Sequence, residues 1–278
     1  MTKVPNEAMT HNGRFHTDDV FSAALLEILN PKIKIERNNI IPNGYPGLVF
    51  DLGDGDYDHH GERSKFRDNG VQYASFGLLW KEYGQTLVSE KEAQIFDESF
   101  VQPLDIQDNN GGNNLLCRAI TQMNPKWDEQ ADSDECFFNA VNIAKIILNN
   151  EIKSMRSTEH AEETVLDCLS KQKNGIVELP QGMPWKSILI PSDALYVIYP
   201  SPRGGYNAQA IPKSVSSQEC KLSFPESWRG KSEDLEKITG IEGISFCHVH
   251  GYLLGANSLG AARAACELSM KIGGKNGF

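Results

Sequence analysis

The chain has 278 residues, 40% of them hydrophobic and 23% charged, with a formal net charge of −10; this is long for one domain and predicts two. The excess of acid disfavours a broad basic surface that grips duplex nucleic acid by counterion release, and no apolar run approaches the roughly 18 to 20 residues of a membrane span. Six cysteines lie far apart with no C-x-x-C pair, which argues against a zinc knuckle or a disulfide framework and predicts reduced thiols.

The start of the chain lacks the layout of a signal peptide. The chain therefore reads as intracellular, cytoplasmic by default, with a nuclear or mitochondrial address left open. In chain order, a short strand ending near Thr10 precedes "DDVFSAALLEILN", where Val20, Phe21, Ala24, Leu25, Ile28 and Leu29 share one face of a helix that Pro31 ends. "KIKIER" and "GLVFDL" read as strands, the second a continuous apolar run suited to the buried middle of a parallel sheet. Helical patterns follow in "YASFGLLWKEYG", from Ser89 towards Asp105, and from Ser133 to Lys171. Alternating strands and helices predict an α/β fold with a parallel sheet over residues 1–175.

Past that point Gly and Pro punctuate shorter runs. "GIVEL", "SILI", "ALYVIYP" and "YNAQAIP" read as a largely antiparallel set, and "ISFCHVHGYLLGANSLGAARAACELSM" as a strand, a Gly-rich turn and a closing helix. These predict a smaller mixed α/β domain over residues 176–278.

Three short segments of the first domain concentrate acids and histidines. His11, His16, Asp18 and Asp19 precede the first helix, where capping by an aspartate and ligation are alternative readings. In "DLGDGDYDHHGERSKFRD", Asp51 follows a strand, Asp54 and Asp56 suit a turn, and Asp58, His59 and His60 offer oxygen and imidazole ligands together. In "FVQPLDIQDNNGG", Asp105 and Asp108 share a helix face. Carboxylates gathered in this number repel one another, and divalent cations are the simple remedy. Two metals bridged by a carboxylate need about this many ligands. Arg63, Lys65 and Arg67 offer positive charge at the rim.

"THNGRFHTDD", "VFDLG", "YDHHGERSKF" and "FVQPLDIQDN" together resemble the successive motifs of the Myg exonuclease family (the melanocyte-proliferating-gene proteins), a branch of the DHH phosphoesterases. "YNAQAIP", "FPESWRG" and "ITGIEGISFCHVHG" resemble the C-terminal half of that family. The resemblance implies an N-terminal DHH-type domain holding two divalent ions, Mn²⁺ or Mg²⁺ with Mn²⁺ favoured. It carries His11, His16, Asp18, Asp51, Asp58, His59, Asp105 and Asp108 over as the ligand set, with Asp51 bridging and the choice between Asp105 and Asp108 open. His60 is expected to contact phosphate or support a ligand.

The resemblance further implies a C-terminal domain that closes over substrate, with His248 matching a family histidine. Strand alternation puts Phe246, His248 and His250 on one face. The turn at Gly251 is expected to present N–H groups to a phosphate, and Arg203 is a further anion contact. The chain departs from the family pattern at His250 and at Leu254, where the family usually has Gly. The implied activity, with Asp51, His60 and His248 as catalytic residues, is a 3′-to-5′ exonuclease on single-stranded RNA. The alternatives are a phosphoesterase or pyrophosphatase acting on nucleotides or cyclic dinucleotides, and a metal-binding protein without catalysis. A dimer is left open.

Overall fold

The computed structural model describes residues 3–60 and 64–273. The chain divides into two compact units, Met1–Arg156 and Ser157–Phe278. The first holds a parallel three-stranded sheet, β1 (Glu7–Thr10), β2 (Lys34–Arg37) and β3 (Leu48–Val49), in the order β2-β1-β3. The middle place expected for "GLVFDL" belongs to β1, and β3 pairs with β1 for only two residues.

The first helix, α1 (Thr17–Leu29), buries residues 17 to 26, and Asn30 closes it by donating its N–H to Leu26 O. Helices α2 (Ser75–Tyr83) and α3 (Glu90–Phe96) follow. A five-residue π segment, Asp97–Val101, then leads into α4 (Gln102–Asn110), which has a proline in its first turn and stops at Gly111 with a positive φ of 73°. Asn114 caps α5 (Leu115–Thr121) by accepting from Leu116 and Cys117 N–H.

The long helix α6 (Ser133–Ser170) explains why the units part at Arg156 and not at the expected 175. Its Phe137, Ala140, Val141, Ala144, Leu148, Ile152 and Met155, on one face at spacings of three and four with Val141 beside Ala140, belong to the core of the first unit. Ala161 and Val165 instead pack with Val177, Leu179, Trp185 and Val197.

The second unit is built on a five-stranded sheet in the order β4-β5-β6-β8-β7: β4 (Ile176–Glu178), β5 (Tyr196–Pro200), β6 (Tyr206–Ala210), β7 (Ile244–Cys247) and β8 (Leu253–Ala256). Only β4 and β5 are parallel. "SILI" is not a strand but the short helix α7 (Lys186–Leu189), since a brief apolar run carries no decisive period. Lys221 Nζ satisfies the carbonyls that follow, donating to the oxygens of Leu189, Ser192 and Ala194.

After α8 (Leu235–Thr239) and β7, the expected Gly-rich turn is instead the strand β8, and Leu254 is fully buried in it opposite Ala208 and Cys247. The closing helix α9 (Leu259–Gly273) buries Ala261, Ala262, Ala265 and Cys266, small side chains that let it lie close to the sheet. All six cysteines are unpaired. Among the described residues no helix is long and apolar enough to cross a membrane.

Candidate metal centre

Parallel pairing places Met9 opposite Val49, and Phe50 N–H donates to Met9 O at 3.0 Å. Two residues beyond that pair stand His11 and Asp51, so neighbouring strands deliver an imidazole and a carboxylate to the carboxyl edge of the sheet. Asp51 has φ 53°, a region that few non-glycine residues enter and that Asp tolerates better than most. From there the chain turns back: Asp51 N–H donates to Tyr57 O at 3.0 Å and Asp54 N–H to Asp58 Oδ2 at 2.7 Å. This return brings Asp58, His59 and His60 beside Asp51.

Asp51 faces a histidine with each oxygen. Oδ2 is 3.2 Å from His11 Nε2, and Oδ1 is 3.1 Å from His59 Nε2. His11 Nδ1 lies 3.0 Å from Asn12 O, so the Nδ1 proton is donated there and a neutral ring turns its Nε2 lone pair to the acids. The Asp19 and Asp51 carboxylates beside the ring push His11 up to about 10. At His59 burial pulls the other way, but Asp51 prevails and the ring is raised to about 8. Burial alone would raise Asp51; the His11 and His59 rings against its two oxygens hold it far below the usual carboxylate range.

Three further acids crowd this pair. Asp19 Oδ1 accepts from His16 and Val20 N–H at 2.9 Å, capping α1, while its Oδ2 is buried, without a hydrogen-bond donor, and 3.2 Å from His11 Nε2. Capping and facing the site are thus shared between two oxygens of one residue. Asp19 lies outside the ligand set that the resemblance implies, although it stands in the same "HTDD" run. Asp18 accepts from Ser75 and Phe76 N–H at 3.1 and 2.7 Å, so an acid 57 positions earlier serves the first turn of α2. Asp18 Oδ2 and Asp108 Oδ2 lie 3.8 and 3.3 Å from His59 Nε2. Burial, then repulsion from neighbouring acids, raises Asp18 well above the usual range; burial is also the leading cause of the upward shifts of Asp19 and Asp108.

Among the described residues, donor atoms within 4.8 Å of one another form three sets, each able to hold a metal ion: Asp51, His59 and His60; His11, Asp19 and Asp51; and Asp18, His59 and Asp108. A cleft of about 750 Å³ adjoins them, lined by His16, His59, His60 and Asp108 together with Gln72, Gln107, Asn113 and Arg118.

Other residues of the expected set stand differently. Asp105 has Arg67 Nη2 2.7 Å from its Oδ2 and joins none of the three sets; burial outweighs the cation and pushes it up to about 7. Asp58 serves the turn and holds His60, with Oδ1 2.8 Å from His60 Nδ1. His16 stays at the rim, 4.0 Å from Asp108, with half of its side chain exposed. Of the predicted rim cations, Arg67 is buried and bonded to Asp97, and Lys65 donates to Asp56 O; Arg63 lies outside the described residues.

In the second unit His248 and His250 line a cavity of about 670 Å³ with Lys186, Gln209 and Tyr252. The strand ends at Cys247, before both histidines, and His250 N–H donates to His248 Nδ1 at 3.2 Å. Gly251 departs from its expected role: its N–H is already donated to His248 O at 2.8 Å, and an added Cβ there would lie 3.0 Å from Phe224 O. Its glycine answers to a positive φ and close packing. Arg203 lies in the exposed turn between β5 and β6 and is not among the residues lining that cavity.

Residues 7–270 match the family model MYG1_exonuc, described as an uncharacterised protein family (UPF0160). The chain is 27% identical to the MYG1 exonuclease of Rattus norvegicus, over 90% of this chain and 81% of that protein. It is 26% identical to the MYG1 exonuclease of Homo sapiens (90% and 82%), and 25% identical to the MYG1 protein YER156C of Saccharomyces cerevisiae (97% of each). No solved structure matches the chain. The chain belongs to the MYG1 exonuclease family.

Proposed function

We propose that this protein is a divalent-metal-dependent phosphodiesterase with an N-terminal DHH-type domain, a 3′-to-5′ exonuclease acting on single-stranded RNA. The carrying observation is Asp51, whose two oxygens each face the Nε2 of a different histidine, the layout of a carboxylate shared between two cations. The donor set fits such ions. Asp19 Oδ2 and His59 Nε2 are buried without hydrogen-bond partners, and a mixture of imidazole and carboxylate favours Mn²⁺ over Mg²⁺. His11, Asp19, Asp51, Asp18, His59 and Asp108 would hold two ions. His16, Asp58 and Asp105 leave the ligand set for the rim, the turn and the Arg67 pair.

Bound there, the cations supply Lewis-acid polarisation of a phosphodiester and a lowered pKa for water. The chain supplies the rest. Asp58 orients His60 through Nδ1, and the doubly protonated ring would hand its Nε2 proton to the leaving oxygen, leaving a neutral Nδ1–H ring. Arg118 and Asn113, on the lining of the same cleft, offer donors to phosphate and sugar oxygens. In the second unit His248, His250 and Arg203 are proposed as phosphate contacts by their side chains, without the Gly251 N–H.

The net charge of −10 favours a second reading, a phosphoesterase on nucleotides, cyclic dinucleotides or pyrophosphate, because a nucleic-acid strand is ordinarily tracked by a basic groove. Turnover in Mn²⁺ on single-stranded RNA, cyclic dinucleotides and pyrophosphate separates the two. Mononucleotides released from the RNA 3′ end are expected. Turnover of the small substrates with RNA left intact selects the second reading, and turnover that survives Asp51→Asn overturns both.

A further inference from the structure

The side chain of Asn109, next to Asp108 near the end of α4, touches three segments at once. Its Nδ2 donates to Asp105 O at 2.9 Å, one helical turn back, and to Tyr73 O at 3.3 Å in the chain entering α2; its Oδ1 lies 3.0 Å from His59 Nδ1. Only one orientation of the amide suits these neighbours. With both N–H bonds spent on carbonyl oxygens, a flipped amide would set its oxygen against two others. Oδ1 is therefore the acceptor, and His59 Nδ1 the donor.

We infer that Asn109 is a positioning residue for the candidate metal centre, locking His59 in the Nδ1–H form so that its Nε2 lone pair faces a cation shared with Asp51 and Asp108. The neighbouring acids pull the other way. Asp51 Oδ1 and Asp108 Oδ2 stand 3.1 and 3.3 Å from Nε2, and their negative charge would draw the ring proton to Nε2, which would cost the site a ligand. Asn109 opposes that outcome by demanding the proton at Nδ1. His11 receives the same direction from a main-chain oxygen, Asn12 O, which no side-chain substitution removes. His59 depends on a side chain, and its ring is fixed from the helix that also carries Asp108.

The consequence for metal affinity rests on the two-cation reading above; the ring form of His59 does not. The experiment measures both on purified protein. Nitrogen-15 NMR of the metal-free protein, at a pH alkaline enough for His59 to be neutral, reports which ring nitrogen is protonated, and calorimetric titration reports Mn²⁺ affinity. Wild-type protein is expected in the Nδ1–H form. Asn109→Leu is expected to move His59 to the Nε2–H form and weaken Mn²⁺ binding by about 10- to 100-fold. Asn109→Asp keeps an acceptor at Nδ1 but turns its second oxygen on Asp105 O and Tyr73 O, so it should fold less stably yet retain the ring form and recover most of the affinity.

Unchanged ring form and affinity in Asn109→Leu, or an Asp variant as weak as the Leu variant, would overturn the inference. Should Asn109→Leu fail to fold, Asn109→Asp decides, and His59 in the Nε2–H form there overturns it. If wild-type protein binds no Mn²⁺, the two-cation reading falls while the ring form still decides the role of Asn109.

Discussion

Arg67 Nη2 stands 2.7 Å from Oδ2 of Asp105, and the same guanidinium binds Asp97 through Nε and Nη2 at 2.8 and 2.7 Å. Two acids three apart on α4 therefore have different employment: Asp105 has a cation of the protein's own, while Asp108 faces His59. Arg67→Met should cost about 3 to 5 kcal/mol, the usual loss when a buried ion pair is broken, seen as a lower urea midpoint. Asp108→Asn should leave metal-free stability unchanged or raised, because one crowded carboxylate is neutralised, and should weaken Mn²⁺ binding. Full Mn²⁺ affinity in that variant would reassign Asp108.

Asp51→Asn separates charge from backbone. Asn tolerates the left-handed conformation at φ 53° nearly as well as Asp, so the variant should fold. Wild-type protein in Mn²⁺ at 100 times its dissociation constant should gain about 2.7 kcal/mol of stability. The variant should gain essentially none. Thermal melts with and without Mn²⁺ check this, and an equal gain in both proteins counts against Asp51 as the shared carboxylate.

Metal-free protein should lose stability as pH rises. The folded values of His11 and His59, raised to about 10 and about 8, lie above the ordinary histidine value of about 6.5. Their contribution is complete below that value and is lost as pH climbs through 8 and then 10. Saturating Mn²⁺ should reverse the trend between pH 6.5 and 8, since the cation competes with those protons. Denaturation midpoints falling equally with and without Mn²⁺ over that window would refute the linkage.

Leu254→Ala should destabilise by about 2 to 5 kcal/mol, as for other fully buried leucines. A guanidinium titration gives the number. A neutral result would return Leu254 to an exposed turn.

Much of the site edge is legible in the residues themselves. A carboxylate after "LVF" and a histidine after a short strand predict that both reach the carboxyl end of a parallel sheet, and β1 and β3 put them there. Less is legible where the deciding partner is distant in sequence. Helical spacing puts Asp105 and Asp108 on one face but is silent about Arg67, which neutralises one of them. Asp19 looks like a cap because its neighbours are local; the oxygen turned to His11 depends on how the β1 loop folds. "SILI" and "LLGA" are short apolar runs, and whether such a run pairs as a strand depends on what chain lies beside it.

Asp18 is at once an acid of the cluster and the acceptor for the first N–H groups of α2. A substitution meant to retune the preference for one cation over another, such as histidine there, would also uncap that helix. Ion selectivity and folding share this carboxylate. Redesign of the centre is freer at Asp108, which lines the cleft and pairs with His16 and His59.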